Sequence, residues 1–123
     1  MRYKGQIQWI GAHTPITREA VAVLQAAEGI LTFDCEYNGT HYPALKVIKQ
    51  PPPREWLKEG EPPERWKGGS PTGQLPVVEV EVMEVAYKEQ QIIFSGYWME
   101  PGHTSGRDAV VLTLDPDPNY VDN

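Results

Sequence analysis

The chain has 123 residues, 40% of them hydrophobic and 23% charged, with a formal net charge of -6. This size fits one domain with a single core and excludes a second full domain. The only cysteine, Cys35, excludes an internal disulfide framework and a structural zinc site built on cysteines. No apolar run approaches the roughly 18 residues of a membrane span, and the N-terminus lacks a signal-peptide hydrophobic region, so we expect a cytoplasmic protein without a membrane partner.

The negative charge lies in the C-terminal half. Residues 77–123 contain nine acidic residues and two basic ones. The basic stripe typical of nucleic-acid binding is absent, so duplex nucleic acid is not an expected partner. The acidic segment is interpreted as a solvated face, with contact to a basic protein surface as the alternative.

The first 29 residues predict a strand followed by a helix. Ile7 and Trp9 alternate with polar neighbours in residues 4–10, which favours a strand. Thr14-Pro15 is typical of a helix start and Gly29 of a helix end, so we expect a helix of about 13 residues that packs on a sheet. Its apolar stripe consists of Ala20, Val21, Val23, Leu24 and Ala27.

Residues 30–48 predict a β-hairpin. Leu31, Phe33, Cys35 and Tyr37 alternate with polar residues, which indicates a half-buried strand and places Cys35 in the core, where a thiol is inert. Asn38-Gly39 favours a two-residue type I′ turn, so the chain returns antiparallel. Pro43 displaces this second strand towards an edge or a bulge.

Residues 50–76 are expected to form a long loop without a persistent regular element. They contain seven prolines and four glycines among 27 residues. A short helical turn is expected at 54–58. Since disordered linkers are poor in aromatic residues, Trp56 and Trp66 are interpreted as pinning the loop to the body, to another subunit or over a ligand.

The C-terminal part predicts three strands and a loose tail. Residues 77–87 and 91–99 form a hairpin across Lys88-Glu89-Gln90, and Gly96 within the second strand indicates a bulge or a close backbone approach. Residues 109–114 form the closing strand, and residues 115–123 the tail.

These elements predict a single α+β domain over residues 1–123. Its curved antiparallel sheet of about six strands forms a partial barrel, with one helix packed on it and a Pro/Gly-rich insertion at 50–76. Such a sheet leaves edges that pair with other chains, so we expect a homo-oligomer.

The segment 101–108 is the predicted ligand-binding loop. Backbone amides, hydroxyls, an imidazole and a guanidinium within a few residues suit a phosphate or a carboxylate. The alternative is a surface loop in which Arg107 pairs with Asp108 or a neighbouring glutamate. Gly102 adds backbone flexibility to this segment. The ligand-binding residues predicted here are His103, Thr104, Ser105, Gly106 and Arg107.

Aromatic residues supply a second part of the predicted site. A planar phosphorylated ligand, such as a nucleotide, would stack on an exposed ring while the loop holds its charge. Adjacent strand positions face opposite ways, so Phe94 and either Tyr97 or Trp98 are expected in the core and the remaining one outside. The predicted ligand-binding set therefore adds Tyr97, Trp98, Trp56, Trp66 and Arg54.

Catalytic and metal-binding patterns are sparse. His13, His41 and His103 show no metal-ligand spacing, so no metal and no cofactor are expected. His41 follows the Asn38-Gly39 turn, where it would face Asp34 or Glu36 either as a general base or as part of a solvated pair.

Three functions remain open from the sequence. The favoured one is a non-catalytic intracellular module that sequesters or senses a small anionic, nucleotide-like ligand as a homo-oligomer. The first alternative is a protein-interaction, inhibitor or particle-assembly component that uses the acidic strands or the tryptophan-bearing loop. The second is a small hydrolase or lyase in which His103 or His41 transfers protons and Arg107 stabilises negative charge.

Overall fold

The elements in the described part of the chain are all strands of one closed barrel. The computed structural model describes residues 2–10, 16–37, 39–51, 64–71, 73, 77–100 and 108–116. Each strand pairs antiparallel with the next, and β8 pairs antiparallel with β1. The strands are β1 (Arg2–Ile10), β2 (Ile16–Gln25), β3 (Ile30–Tyr37), β4 (Thr40–Lys49), β5 (Trp66–Gly69), β6 (Glu79–Lys88), β7 (Gln91–Met99) and β8 (Asp108–Pro116).

The two ends of the barrel follow from this up-and-down order. β7 finishes close to Trp98, and the chain re-enters the barrel at the start of β8, so the segment 101–107 connects two strands at this end, named here the Trp98 end. The opposite end, where β5 begins at Trp66, is named the Trp66 end. The first residue of β1 and the last residue of β8 also lie there.

The core fills the inside of the barrel, because apolar residues occupy alternate positions along the strands. Among the described residues, no polar or charged residue is buried. Gly5 is opposite Ala20 on β2, and Ala22 is the next inward-facing residue of that strand, so these small residues leave room for the large rings of other strands. The largest fully buried side chains are those of Trp9, Trp98, Ile7, Leu31, Leu45, Leu114, Val47 and Val78.

The helix predicted after Thr14-Pro15 is wrong, and with it the α+β class. Residues Ile16–Gln25 form strand β2, with Ala20, Ala22 and Leu24 facing inwards. Val21 and Val23 face outwards, so both sides of the strand are apolar, and this arrangement imitates the stripe of an amphipathic helix. Gly29, expected to end a helix, has φ of 69° in the turn to β3.

The partial barrel of about six strands is also wrong, because the sheet closes on itself with eight. β2 replaces the helix, and β5 arises inside the segment expected to hold no regular element. β5 has only four residues, and a Cβ at Gly68 would collide with the carbonyl oxygen of Lys46, so only glycine lets β5 lie against β4. Since the barrel is closed, pairing through free sheet edges no longer supports oligomerisation.

The two predicted hairpins are confirmed. β3 and β4 join through Gly39, which has φ of 81°. The register shifts opposite Pro43-Ala44 as expected, and Asp34 Oδ1 accepts a hydrogen bond of 2.6 Å from the Ala44 amide, which holds this bulge. β6 and β7 join across a turn at residues 89–90.

Three further expectations concern residues 54–58, the C-terminal tail and a membrane-spanning segment. The helical turn expected at 54–58 lies outside the described residues, as do residues 117–123 of the expected tail. Asp115 and Pro116, also assigned to the tail, belong to β8. No helix in the described segments has the length and apolar character needed to cross a membrane.

The close backbone approach expected at Gly96 is confirmed. Gly96 is opposite Val82, where β6 carries its bulge, and a Cβ there would collide with the carbonyl oxygen of Glu81. We expect Gly96→Ala to lower the free energy of unfolding by about 1–3 kcal/mol, since the strands must move apart. Urea denaturation measures this loss.

The control is Ser95→Ala, which changes the neighbouring outward-facing residue on the same strand. We expect it to stay within about 0.5 kcal/mol of the wild type. Equal stability of the two variants would contradict the close packing of β6 on β7.

Candidate functional site

The described residues leave no room for a ligand inside the barrel. The cavity at its centre has a volume of about 20 Å³ and is lined by apolar side chains that include Phe33, Val80, Phe94 and Leu112. This space is of the order of a single water molecule. A nucleotide-sized molecule would therefore bind at an end of the barrel or on its outer wall.

An aromatic cluster closes the interior at the Trp98 end. The Trp98 side chain is only 1% exposed. Its ring lies edge to face against Trp9, with centroids 5.3 Å apart, and against Tyr42, with centroids 5.1 Å apart. Such pairs contribute about 0.5–1.5 kcal/mol each beyond area burial. The three rings thus form a rigid floor beneath anything bound at this end.

A carboxylate lies on this floor. The Tyr42 hydroxyl and the Trp98 Nε1–H each donate a hydrogen bond of 3.2 Å to Glu100 Oε1. Because Trp98 and Glu100 are two residues apart at the end of β7, they point to the same side of the chain. Glu100 and Asp108 are the last and first described residues on either side of segment 101–107, so this segment starts and finishes beside two carboxylates.

The aromatic residues predicted to bind ligand do not share one location. Trp98 is in the core and Tyr97 is on the outer wall, opposite Ala109, which confirms that the two face opposite ways. Trp66 is 3% exposed and packs edge to face on Phe94, 5.4 Å away, near the other end. Trp66 therefore pins its segment to the barrel body.

The remaining predicted ligand-binding residues cannot be placed in the fold. Trp56 and Arg54, like the loop residues His103, Thr104, Ser105, Gly106 and Arg107, lie outside the described residues. Only the strand ends that flank this loop, at Glu100 and Asp108, locate it on the barrel.

Glu64 fastens the Trp66 end. Its carboxylate accepts hydrogen bonds from the Trp66 Nε1–H at 3.1 Å and from the Tyr87 hydroxyl at 3.0 Å, and Lys49 Nζ lies 3.4 Å away. Partial burial and the hydrogen bond to Glu64 raise the pKa of Tyr87 to about 12. This carboxylate already has three donors and serves to fix the start of β5 against β4 and β6.

Neither Cys35 nor His41 has the setting of a catalytic group. Burial, together with the neighbouring Asp34 carboxylate, raises the pKa of the Cys35 thiol to about 12. His41 is directly opposite Glu36 on the β3–β4 hairpin, as one of the two expected pairings, and both are exposed. Among the described residues, no group of three His, Cys, Asp or Glu side chains is placed to hold a metal ion.

Sequence reasoning missed Trp9, Tyr42 and Glu100 as parts of the floor. The signals were present in the spacing. When residues are paired outwards from the Asn38-Gly39 turn, Tyr42 lies opposite Cys35, so both face the inside of the barrel. The same two-residue period places Glu100 above Trp98.

No protein-family model matches the chain, and no curated protein or solved structure shows significant similarity to it. The functional interpretation therefore depends on the residues described above. In the part of the chain that the structure describes, the Trp98 end combines a closed floor, polar groups and chain connections.

The Cys35 thiol gives a direct test of the closed interior. With the pKa raised to about 12, we expect the folded protein to resist a thiol reagent at pH 8, whereas the urea-unfolded chain reacts with one equivalent. Folding keeps this thiol protonated. The raised pKa therefore leaves the free energy of unfolding unchanged below the ordinary pKa of 9.0, and lowers it as the pH rises from there towards 12. Equally fast labelling with and without urea would contradict the buried position.

Proposed function

We propose that this chain is a non-catalytic binding protein that holds a small anionic ligand, such as a nucleotide, at the Trp98 end. The observation that carries the proposal is the filled interior, whose central cavity of about 20 Å³ is closed by Trp98 at that end. A ligand there contacts the surface above the aromatic floor. Segment 101–107, which connects β7 and β8, supplies the contacts.

The chemistry of segment 101–107 favours an anion. His103, Thr104, Ser105 and Arg107 combine one imidazole, two hydroxyls and one guanidinium within five residues. Hydroxyls and backbone amides donate short hydrogen bonds to phosphate oxygens, and arginine donates two in parallel. Arg107 is the only Lys or Arg after Lys88.

Glu100 sets the strength of anion binding. Its carboxylate is held on the floor by Tyr42 and Trp98, so a ligand anion at this end meets a fixed negative charge. Like charges a few ångströms apart repel, so we expect the Glu100 carboxylate to weaken the binding of an anion at this end. This arrangement favours reversible binding, as a sensing or sequestering protein requires.

A non-catalytic role is supported by the groups available for chemistry in the described residues. The Cys35 thiol is protonated and buried, and the exposed pair of His41 and Glu36 is on the outer side of a hairpin. A free cysteine also suits the reducing cytoplasm in which we propose that the protein acts.

The proposal predicts opposite effects for two substitutions at the Trp98 end. Arg107→Ala removes charge-assisted hydrogen bonds worth about 1.5–3 kcal/mol, so we expect at least roughly tenfold weaker binding of AMP. Glu100→Gln keeps an oxygen acceptor for Tyr42 and Trp98 and removes the charge, so we expect binding to strengthen severalfold. Isothermal titration calorimetry with AMP and with inorganic phosphate measures both.

The control is Arg18→Ala, which removes an exposed arginine from β2, near the same end. We expect it to change the dissociation constant less than twofold. Native mass spectrometry of the protein purified from cells is the companion measurement, since it detects a ligand carried through purification. Equal binding by wild type and Arg107→Ala, or no phosphate-bearing ligand in either experiment, would refute the proposal.

A further inference from the structure

A groove at the Trp66 end forms the mouth of the barrel. Tyr3 on β1 lies opposite Pro116 on β8, and Tyr87 on β6 lies opposite Ile92 on β7. These four residues line the groove together with the turn between β6 and β7, and its volume is about 540 Å³. Small-molecule sites have volumes of roughly 300–1,000 Å³ and are often found in the mouths of β-barrels. The groove therefore has the size and the position of a ligand site.

Tyr87 presents an exposed aromatic ring to this groove. It is 63% exposed, more than any other large hydrophobic residue in the described part of the chain. Its hydroxyl oxygen lies 3.0 and 3.1 Å from the two carboxylate oxygens of Glu64 and donates its hydrogen to them. Since the hydroxyl is bound, the surface that Tyr87 offers to a ligand is the apolar ring.

The Tyr87 ring is held in one position. Glu64, which binds its hydroxyl, is itself fixed by the Trp66 Nε1–H at 3.1 Å and by Lys49 Nζ at 3.4 Å. Trp66 in turn packs edge to face on Phe94 in the core. Ordering a mobile side chain weakens binding, so a ring that is already fixed favours a ligand that stacks on it.

The turn between β6 and β7 supplies polar groups at the edge of the groove. Glu89, Gln90 and Gln91 all line it. Each glutamine amide has both donors and acceptors, whereas the ionised Glu89 carboxylate only accepts. Glu89 has φ of 28°, in the left-handed region that favours glycine, so a long polar side chain stands where glycine would be less strained. Among the described residues that line the groove there is no lysine or arginine, which makes it unsuited to an anion.

We propose that the mouth of the barrel at the Trp66 end binds a saccharide, with one sugar ring stacked on Tyr87. The C–H groups on one face of a sugar ring form an apolar surface that packs on an aromatic ring, and tyrosine combines such a ring with a polar tip. The sugar hydroxyls project from the edge of this surface. The proposal does not depend on ligand binding at the Trp98 end, because the two sites lie at opposite ends of the barrel.

The polar groups of the turn favour a sugar over a cation. A hydroxyl both donates and accepts hydrogen bonds, so it matches the amide donors and acceptors of Gln90 and Gln91. An ammonium group has donors alone and leaves the amide N–H groups of a bound glutamine without a partner. Glu89 is the only residue among those described in the lining that carries a charge at neutral pH, and its oxygens accept from sugar hydroxyls as well.

An NMR titration of the isotope-labelled protein tests this site. The probes are cellobiose, maltose and lactose, and tetramethylammonium is the cationic comparison. We expect at least one disaccharide to shift the amide signals of residues 87–92 in a saturable manner and to leave the signals of the Trp98 end unchanged. The proposal is overturned if none of the three disaccharides shifts the signals of residues 87–92, or if tetramethylammonium alone does so.

Two substitutions of Tyr87 separate stacking from the tie to Glu64. Tyr87→Ala removes the ring and the hydroxyl, so we expect the dissociation constant for the bound disaccharide to rise roughly tenfold or more. Tyr87→Phe removes the same hydrogen bonds to Glu64 but keeps the ring, so we expect a rise of at most about threefold. Equal losses in the two variants would contradict stacking, since they would assign the effect to the tie.

The matched control is Tyr97→Ala, which removes a tyrosine from the outer wall of β7 near the other end. We expect it to change the dissociation constant less than twofold, and circular dichroism checks that every variant is folded. Glu89→Gln keeps an oxygen acceptor and removes the charge, so we expect a neutral sugar to retain its affinity within about threefold. A loss of roughly tenfold or more in Glu89→Gln would assign the groove to a cation and overturn the proposal.

Discussion

The pairing of β8 with β1 is the constraint on which the rest of the structure depends. It closes eight strands into a ring whose interior is just wide enough for side chains. Apolar residues at alternate positions fill that interior, and small residues at Gly5, Ala20 and Ala22 compensate for the volume of the tryptophans. Among the described residues, the centre has no space for a ligand, so the proposed binding is assigned to an end of the barrel.

The two ends of the barrel differ in how their carboxylates are used. At the Trp66 end, Glu64 binds Trp66, Tyr87 and Lys49 and fastens the short strand β5 in place. At the Trp98 end, Glu100 accepts hydrogen bonds from the Tyr42 hydroxyl and the Trp98 indole. The first arrangement stabilises the fold, and the second lies at the end where we propose that a ligand binds.

Much of the sheet could be predicted from the sequence, because alternation with a period of two is unambiguous where polar residues separate the apolar ones. β3 and β6 follow this pattern, and the turns at Gly39 and at residues 89–90 pair them with the returning strands β4 and β7. The sequence of β2 predicts a helix instead of a strand, because Val21 and Val23 make the outer side of this strand apolar as well. β5 was missed because its four residues contain two glycines, and only the tertiary contacts of Trp66 and Gly68 reveal it. Closure of the barrel is a long-range property that no local pattern contains.

For the site, the outward position of Tyr97 and the burial of Cys35 were predictable, whereas the convergence of Trp9 and Tyr42 on Trp98 required the closed barrel.

The measurement that tests the central claim most directly is a set of nuclear Overhauser contacts across the β1–β8 seam. The closed barrel predicts cross-strand contacts between Ile7 and Leu112 and between Gln6 and Thr113, together with contacts between Ala22 and Phe33 that identify β2 as a strand. Slow amide exchange on both sides of the seam would accompany them. If the β1–β8 contacts are absent, or residues 16–25 show the sequential amide contacts of a helix, the sheet is open. The filled interior and the proposed binding of a ligand at the Trp98 end would then be wrong.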